Sequence, residues 1–180
     1  MKSLSKIIED YAAFEAEVRA YSTKIYLNHC SACKGGCCKL EYCEESLTSL
    51  FLSRLRQHFV PDAVYDSGRG WLTEAGCALP VGRPPVCHQF FCDTVLNTRP
   101  AAEFRYALTI LSNLVNHVGK KALGRKHIVE LQESSELKRI NFTRFEKHLN
   151  EADNAFQLVR SFLDGDAGEL NPSPILKKIK

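Results

Sequence analysis

The sequence predicts a mainly α protein: a small helical bundle with two cysteine-rich metal-binding loop segments. Two observations predict it. Apolar residues recur at steps of three and four in long stretches near both ends of the chain. All eight cysteines lie between those stretches.

The first stretch runs Leu4, Ile7, Tyr11, Phe14, Val18, Tyr21 and Ile25, a helix with one narrow apolar stripe. From Cys30 to Cys43 no period is visible, and Gly35-Gly36 interrupts the chain, so this segment reads as a loop. Leu47, Leu50, Phe51, Leu55 and Phe59 make a short helix, with Ser46 as its N-cap and Pro61 beyond its end. Residues 62–98 carry glycines and prolines throughout, and such a length needs something to organise it. A metal would do so. Strand signals are thin, confined to Phe59-Val60 and Ala63-Val64-Tyr65.

Pro100 opens the next helix, in which Phe104, Leu108, Leu111, Val115 and Val118 form one row widened by Ala107, Ile110 and Leu114. Gly119 and Gly124 end it, and a shorter helical piece follows over His127–Leu137. Thr143 with Glu146 reads as a capping box before Phe145, Leu149, Ala152, Phe156, Val159 and Leu163. Asp164-Gly165 stops that helix. The 180 residues suit one domain, with a metal-binding region at about 28–95, a helical region at about 100–165 and a loose tail at 166–180. The first and last stripes pair within one bundle more readily than in a coiled coil, which needs more heptads.

Hydrophobic residues are 44% and charged residues 25%, as in a folded globular chain. A net charge of +3, with Lys177, Lys178 and Lys180 as the one local basic run and read as a solvated tail, argues against a nucleic-acid partner. No stretch reaches the roughly 18 apolar residues a membrane helix requires. Glu9 and Asp10 break any signal-peptide core, so the expected compartment is the cytoplasm. Thiols stay reduced there, and the cysteines read as ligands rather than staples.

Cys30, Cys33, Cys37 and Cys38 read C-x-x-C-x-x-x-C-C; the second group is Cys77, Cys87 and Cys92. A C-x-x-C pair places two sulfurs within reach of one metal at roughly 2.3 Å. The vicinal pair Cys37-Cys38 points its side chains apart, which suits a polynuclear site or two neighbouring sites better than one mononuclear metal. Alternatively, one of the pair is a ligand and the other packs. The second segment alone offers three sulfurs, so the two groups are expected to meet around shared metal. Cys43 stands outside both motifs.

These residues resemble the YkgJ-type cysteine-cluster family, described as chelating zinc or iron. One hallmark is Cys30-x-x-Cys33-x-x-x-Cys37-Cys38; the other is Cys77, six residues before Arg83-Pro84, then Cys87-His88-Gln89-Phe90-Phe91-Cys92. The resemblance covers residues 30–92. It implies metal ligation by Cys30, Cys33, Cys37, Cys38, Cys77, Cys87 and Cys92. The family carries a further cysteine before the position of Cys77, where this chain has Gly70-Trp71-Leu72; Cys43 either replaces it or is inert. His88 stands where the family has arginine and offers a nitrogen instead. Arg83 reads as structural, holding loop carbonyls or offsetting thiolate charge. The remaining histidines (His29, His58, His117, His127, His148) share no spacing and read as surface or packed groups.

A [4Fe–4S] cluster suits the vicinal pair, and flagellin lysine methylases carrying this pattern are associated with such a cluster. Structural zinc, usually held by four ligands, is the alternative. The expected function is an iron–sulfur protein with a redox or cofactor-related role; the alternative is a zinc module that mediates protein interaction. There is no glycine-rich nucleotide loop, no Ser/His/Asp arrangement and no carboxylate pair on one face, which weighs against an enzyme. An unspecified protein partner, with a monomer or weak dimer, completes the expectation.

Overall fold

The structure is a computed structural model that describes residues 4–30, 39–74, 76–89, 91, 93–97, 101–170 and 172–179, of which 27–30, 93 and 94 are described by backbone only. It is mainly helical. The chain order is α1 (Leu4–Cys30), α2 (Leu40–Thr48), α3 (Leu50–Phe59), β1 (Leu72–Thr73), β2 (Gly76–Cys77), α4 (Val86–Gln89) and α5 (Asp93–Asn97). Then come α6 (Ala102–Gly119), a 3-10 turn (Ile128–Glu130), α7 (Ser134–Leu137), α8 (Phe142–Asp164) and α9 (Pro174–Lys178).

Three long helices make the core, because only they carry apolar stripes long enough to bury on each other. α6 packs chiefly on α8, and α1 lies against both. Ile7, Tyr11, Phe14 and Val18 of α1 are buried, as are Ala107, Ile110, Leu111, Leu114, Val115 and Val118 of α6 and Phe145, Ala152, Phe156 and Val159 of α8. The matching stripes of α1 and α8 therefore meet inside one bundle. Among the described residues, no helix is long and apolar enough to cross a membrane.

Several sequence expectations are corrected. The cysteine segment is not loop throughout: α1 runs on to Cys30, and Leu40–Thr48 forms α2, which places Cys43 on a helix. Ser49, not Ser46, caps α3, accepting the Leu52 N–H at 3.2 Å. Ser46 lies inside α2 and is buried, donating to the Cys43 carbonyl and accepting from Trp71 Nε1 at 2.8 Å. Asn141 caps α8 through the Arg144 N–H at 2.9 Å, so Thr143 falls inside the helix. The strands form at Leu72–Thr73 and Gly76–Cys77, a short antiparallel hairpin, and not at residues 59–65. The tail is not loose: α9 packs on α8, with Leu170, Leu176 and Ile179 buried. Pro100, the expected start of α6, lies outside the described residues.

The end of α6 is closed by a turn that leaves no space for a side chain. Burial pushes the His127 imidazole pKa down, and the neutral ring fits its bonds. Nε2 faces the Asn116 carbonyl at 2.8 Å, while Nδ1 accepts the Val129 N–H at 3.3 Å. A Cβ on Gly119 would lie 2.1 Å from His127 Cε1 and 2.7 Å from Ile128 Cγ2. Gly119→Ala is therefore expected to destabilise the fold by about 1–3 kcal/mol, as overpacking does. Urea unfolding checks this. A loss under about 0.5 kcal/mol, typical of an indifferent surface site, would mean that the turn yields freely.

Candidate metal centre

Glu15 organises the second cysteine segment. It stands on the flank of the α1 stripe, four residues after Tyr11 and three before Val18, and is 0% exposed. A carboxylate buried without partners would cost several kcal/mol. Here it accepts the Gly82 N–H at 2.7 Å and the Arg83 N–H at 2.9 Å, and faces His88 Nε2 at 3.1 Å. Three donors 67 to 73 residues away along the chain are thus tied to one helix position.

His88 uses Nε2 for this contact, and its side chain is only 7% exposed. In the neutral ring Nδ1 is left as the atom a metal would use. A ligating histidine whose other nitrogen donates to a carboxylate is a familiar arrangement around metals. Arg83 Nε donates to the Leu79 carbonyl at 2.6 Å, the loop-holding role expected from sequence. Arg19, one turn beyond Glu15, is half-buried. Burial and then the neighbouring Arg83 charge lower its pKa, while Cys77 and Glu15 oppose them. Cys77 is therefore close enough to the Arg19 guanidinium for their charges to interact.

Cys77 closes β2 and is half-buried; it packs against a small cluster of Cys43, Trp71 and Leu79. Cys43 is buried there, directly over Gly70. A Cβ on Gly70 would fall 2.6 Å from Cys43 Sγ, and its φ of +64° is one that a side chain seldom adopts. The Cys43 sulfur thus packs against Gly70, beside Trp71. Arg56 stacks over Trp71, 5.1 Å from the ring centroid, and closes this cluster on one side. Cys87 is exposed on α4, which Gln89 ties to Asn113 of α6 at 3.0 Å.

The segment then follows α1 towards its C-terminus. Tyr26 lies about 16 Å beyond Glu15 at 1.5 Å per helical residue. Its ring meets Phe91 with centroids 5.0 Å apart, and it shares an apolar cluster with Val95 and Leu108. Cys30 ends α1 one turn after Tyr26, and Cys92 follows Phe91 in sequence. Cys33, Cys37, Cys38 and Cys92, with Gly35, Gly36 and Phe90, lie outside the described residues. Among the described residues, no three of the cysteines and His88 converge on one point. The group that does converge is His117, His148 and Glu151.

Sequence reasoning missed Glu15 and this histidine–glutamate group. The available signals were weak: an acid bordering an apolar stripe, and a His148–Glu151 pair one turn apart on α8. His127 and His117 are packed, as expected, while His58 is exposed; the side chain of His29 lies outside the described residues. Comparison with family models, curated proteins and solved structures finds no match to this chain, so the cysteine pattern and its surroundings carry the functional reading.

Proposed function

We propose that the chain is a cysteine-cluster metal protein, related to the YkgJ-type family, which carries an iron–sulfur cluster of the [4Fe–4S] kind in a redox or cofactor-related role. The ligands are drawn from Cys30, Cys33, Cys37, Cys38, Cys77, Cys87 and Cys92. The observation that best supports this is the packing of Tyr26, at the end of α1, on Phe91 and Val95. It brings the helix end from which the first cysteine motif departs beside the segment in which the second motif ends. Neither motif closes a four-sulfur site comfortably alone, and ligands drawn from both would.

One observation favours the alternative of structural zinc. His88 is buried next to Cys87 in sequence, with Glu15 on its Nε2, which suits a mixed cysteine–histidine site. Metal analysis of anaerobically purified full-length protein separates the two. A brown sample with about four iron and four acid-labile sulfide per chain supports the cluster. A colourless sample with stoichiometric zinc and no sulfide supports the module, and a sample with neither rejects both.

Substitution separates ligand from filler. Cys33→Ala or Cys87→Ala is expected to empty the site. Cys43→Ala is expected to keep the metal and lose about 1 kcal/mol of stability, the order of one buried methylene-sized group. Metal content after gel filtration checks this. Loss of metal from Cys43→Ala would make Cys43 a ligand, serving from its place over Gly70 as the family's extra cysteine does.

A further inference from the structure

We propose that His117, His148 and Glu151 form a second metal site, distinct from the cysteines, for a divalent ion of the zinc class at the junction of α6, α8 and α9. A ring nitrogen of each histidine and a Glu151 oxygen lie within 4.8 Å of one another. The two rings lie with centroids 4.8 Å apart, tilted by 51° to one another. His117 belongs to α6 and its side chain is only 6% exposed.

Each ring has one nitrogen with a partner and one buried nitrogen without. His117 Nε2 donates to Glu151 Oε2 at 3.0 Å, and its buried Nδ1 has no partner. His148 bonds the Lys120 backbone, and its buried Nδ1 also has none. Burial lowers the pKa of His117, and burial with the His117 charge lowers that of His148, both in the direction that favours the neutral ring. A metal takes His117 through Nε2 in place of the proton between it and Glu151, whose Oε2 becomes a neighbouring ligand, and takes His148 through its unpaired Nδ1, the other nitrogen of that ring being held by the Lys120 backbone. A buried acceptor left unpaired costs about 1–3 kcal/mol, and a cation at His148 Nδ1 removes that cost.

The remaining charges are compatible. Burial raises the Glu151 carboxyl pKa, but hydrogen bonds from Lys178 and His117 outweigh it and hold the group below its usual value. Lys178 Nζ lies 2.7 Å from Glu151 Oε1 and its side chain is 52% exposed, so it can swing into solvent. Lys120 and Lys147 are the other cations whose fields reach the rings. Zinc bonds of about 2.0–2.1 Å place tetrahedral ligands roughly 3.4 Å apart, so the three groups must close by up to about 1.4 Å. Three protein ligands leave the fourth position to water.

The test uses full-length protein with its cysteine site filled, labelled with 15N at the histidine rings, and zinc chloride as probe. One equivalent of zinc is expected to shift the ring nitrogens of His117 and His148 together and to raise the Tm. His148→Gln should weaken this binding by more than about tenfold while leaving cysteine-bound metal and sulfide unchanged. Lys178→Met, which frees Glu151 from its competing cation, should tighten it several-fold. Rings unmoved at millimolar zinc overturn the proposal, as does His148→Gln binding the added equivalent like the wild type. Neither result bears on the cysteine site, whose iron, zinc and sulfide content is measured separately.

Discussion

Glu15→Ala is expected to cost about 3–5 kcal/mol and to lower the metal content of the chain, because one buried carboxylate holds three donors of the second cysteine segment. The substitution leaves the Gly82 and Arg83 N–H groups without an acceptor. Each such group, where buried, costs about 1–3 kcal/mol. His88 loses the partner that fixes its ring. Removing a buried charge returns some desolvation energy, so the sum stays below the total of the separate losses. Glu15→Gln should fall between alanine and wild type. Its amide oxygen can still accept from Arg83 and His88, but its NH2 would face the Gly82 N–H, donor against donor. Urea unfolding and metal analysis of the same samples give the two readouts. A loss under about 1 kcal/mol, less than a single unmade buried bond, would show that the Gly82–Arg83 turn holds itself and that Glu15 is incidental.

The three long helices were legible because each repeats its apolar spacing for at least four turns, longer than local accidents of composition persist. α2 was not, since Leu40–Thr48 gives only nine residues, and its inward positions are Cys43 and Ser46, which carry no hydrophobic signature. Both N-caps were displaced for one reason. Ser46 and Ser49, and likewise Asn141 and Thr143, are rival capping residues within three positions of each other. Local preference ranks them nearly equal, and the direction in which the chain enters the bundle decides. The tail misled through sparseness: Leu170, Leu176 and Ile179 are too few to show a period, yet each finds a place in the core.

The spacing of the cysteines could be read at once, since it is a local property of the chain. The groups that support them could not. Glu15 and Arg19 look like an ordinary exposed i,i+4 ion pair, and nothing nearby announces partners beyond residue 80. His117 is separated from Glu151 by 34 positions, and only the packing of α6 on α8 joins them. Chemistry assembled by tertiary contact is silent in sequence until the helices have been placed.

Phe156→Ala is the counterpart to Glu15→Ala and should act on the bundle alone. Phe156 is fully buried on α8, with Phe14 and Tyr21 of α1 edge-on at centroid distances of 6.3 and 5.6 Å. Removing the ring deletes its burial and two aromatic contacts and leaves a cavity that three packed helices cannot easily collapse. The expected loss is about 3–5 kcal/mol. No residue of the second cysteine segment is part of this contact, so metal per folded molecule should match wild type. Chelation is the converse perturbation. The helices bury their own stripes, so removing the metal should loosen the cysteine segments and leave most of the helical circular dichroism. Complete loss of helix on chelation, or loss of metal from folded Phe156→Ala, would show instead that bundle and metal centre form one cooperative unit.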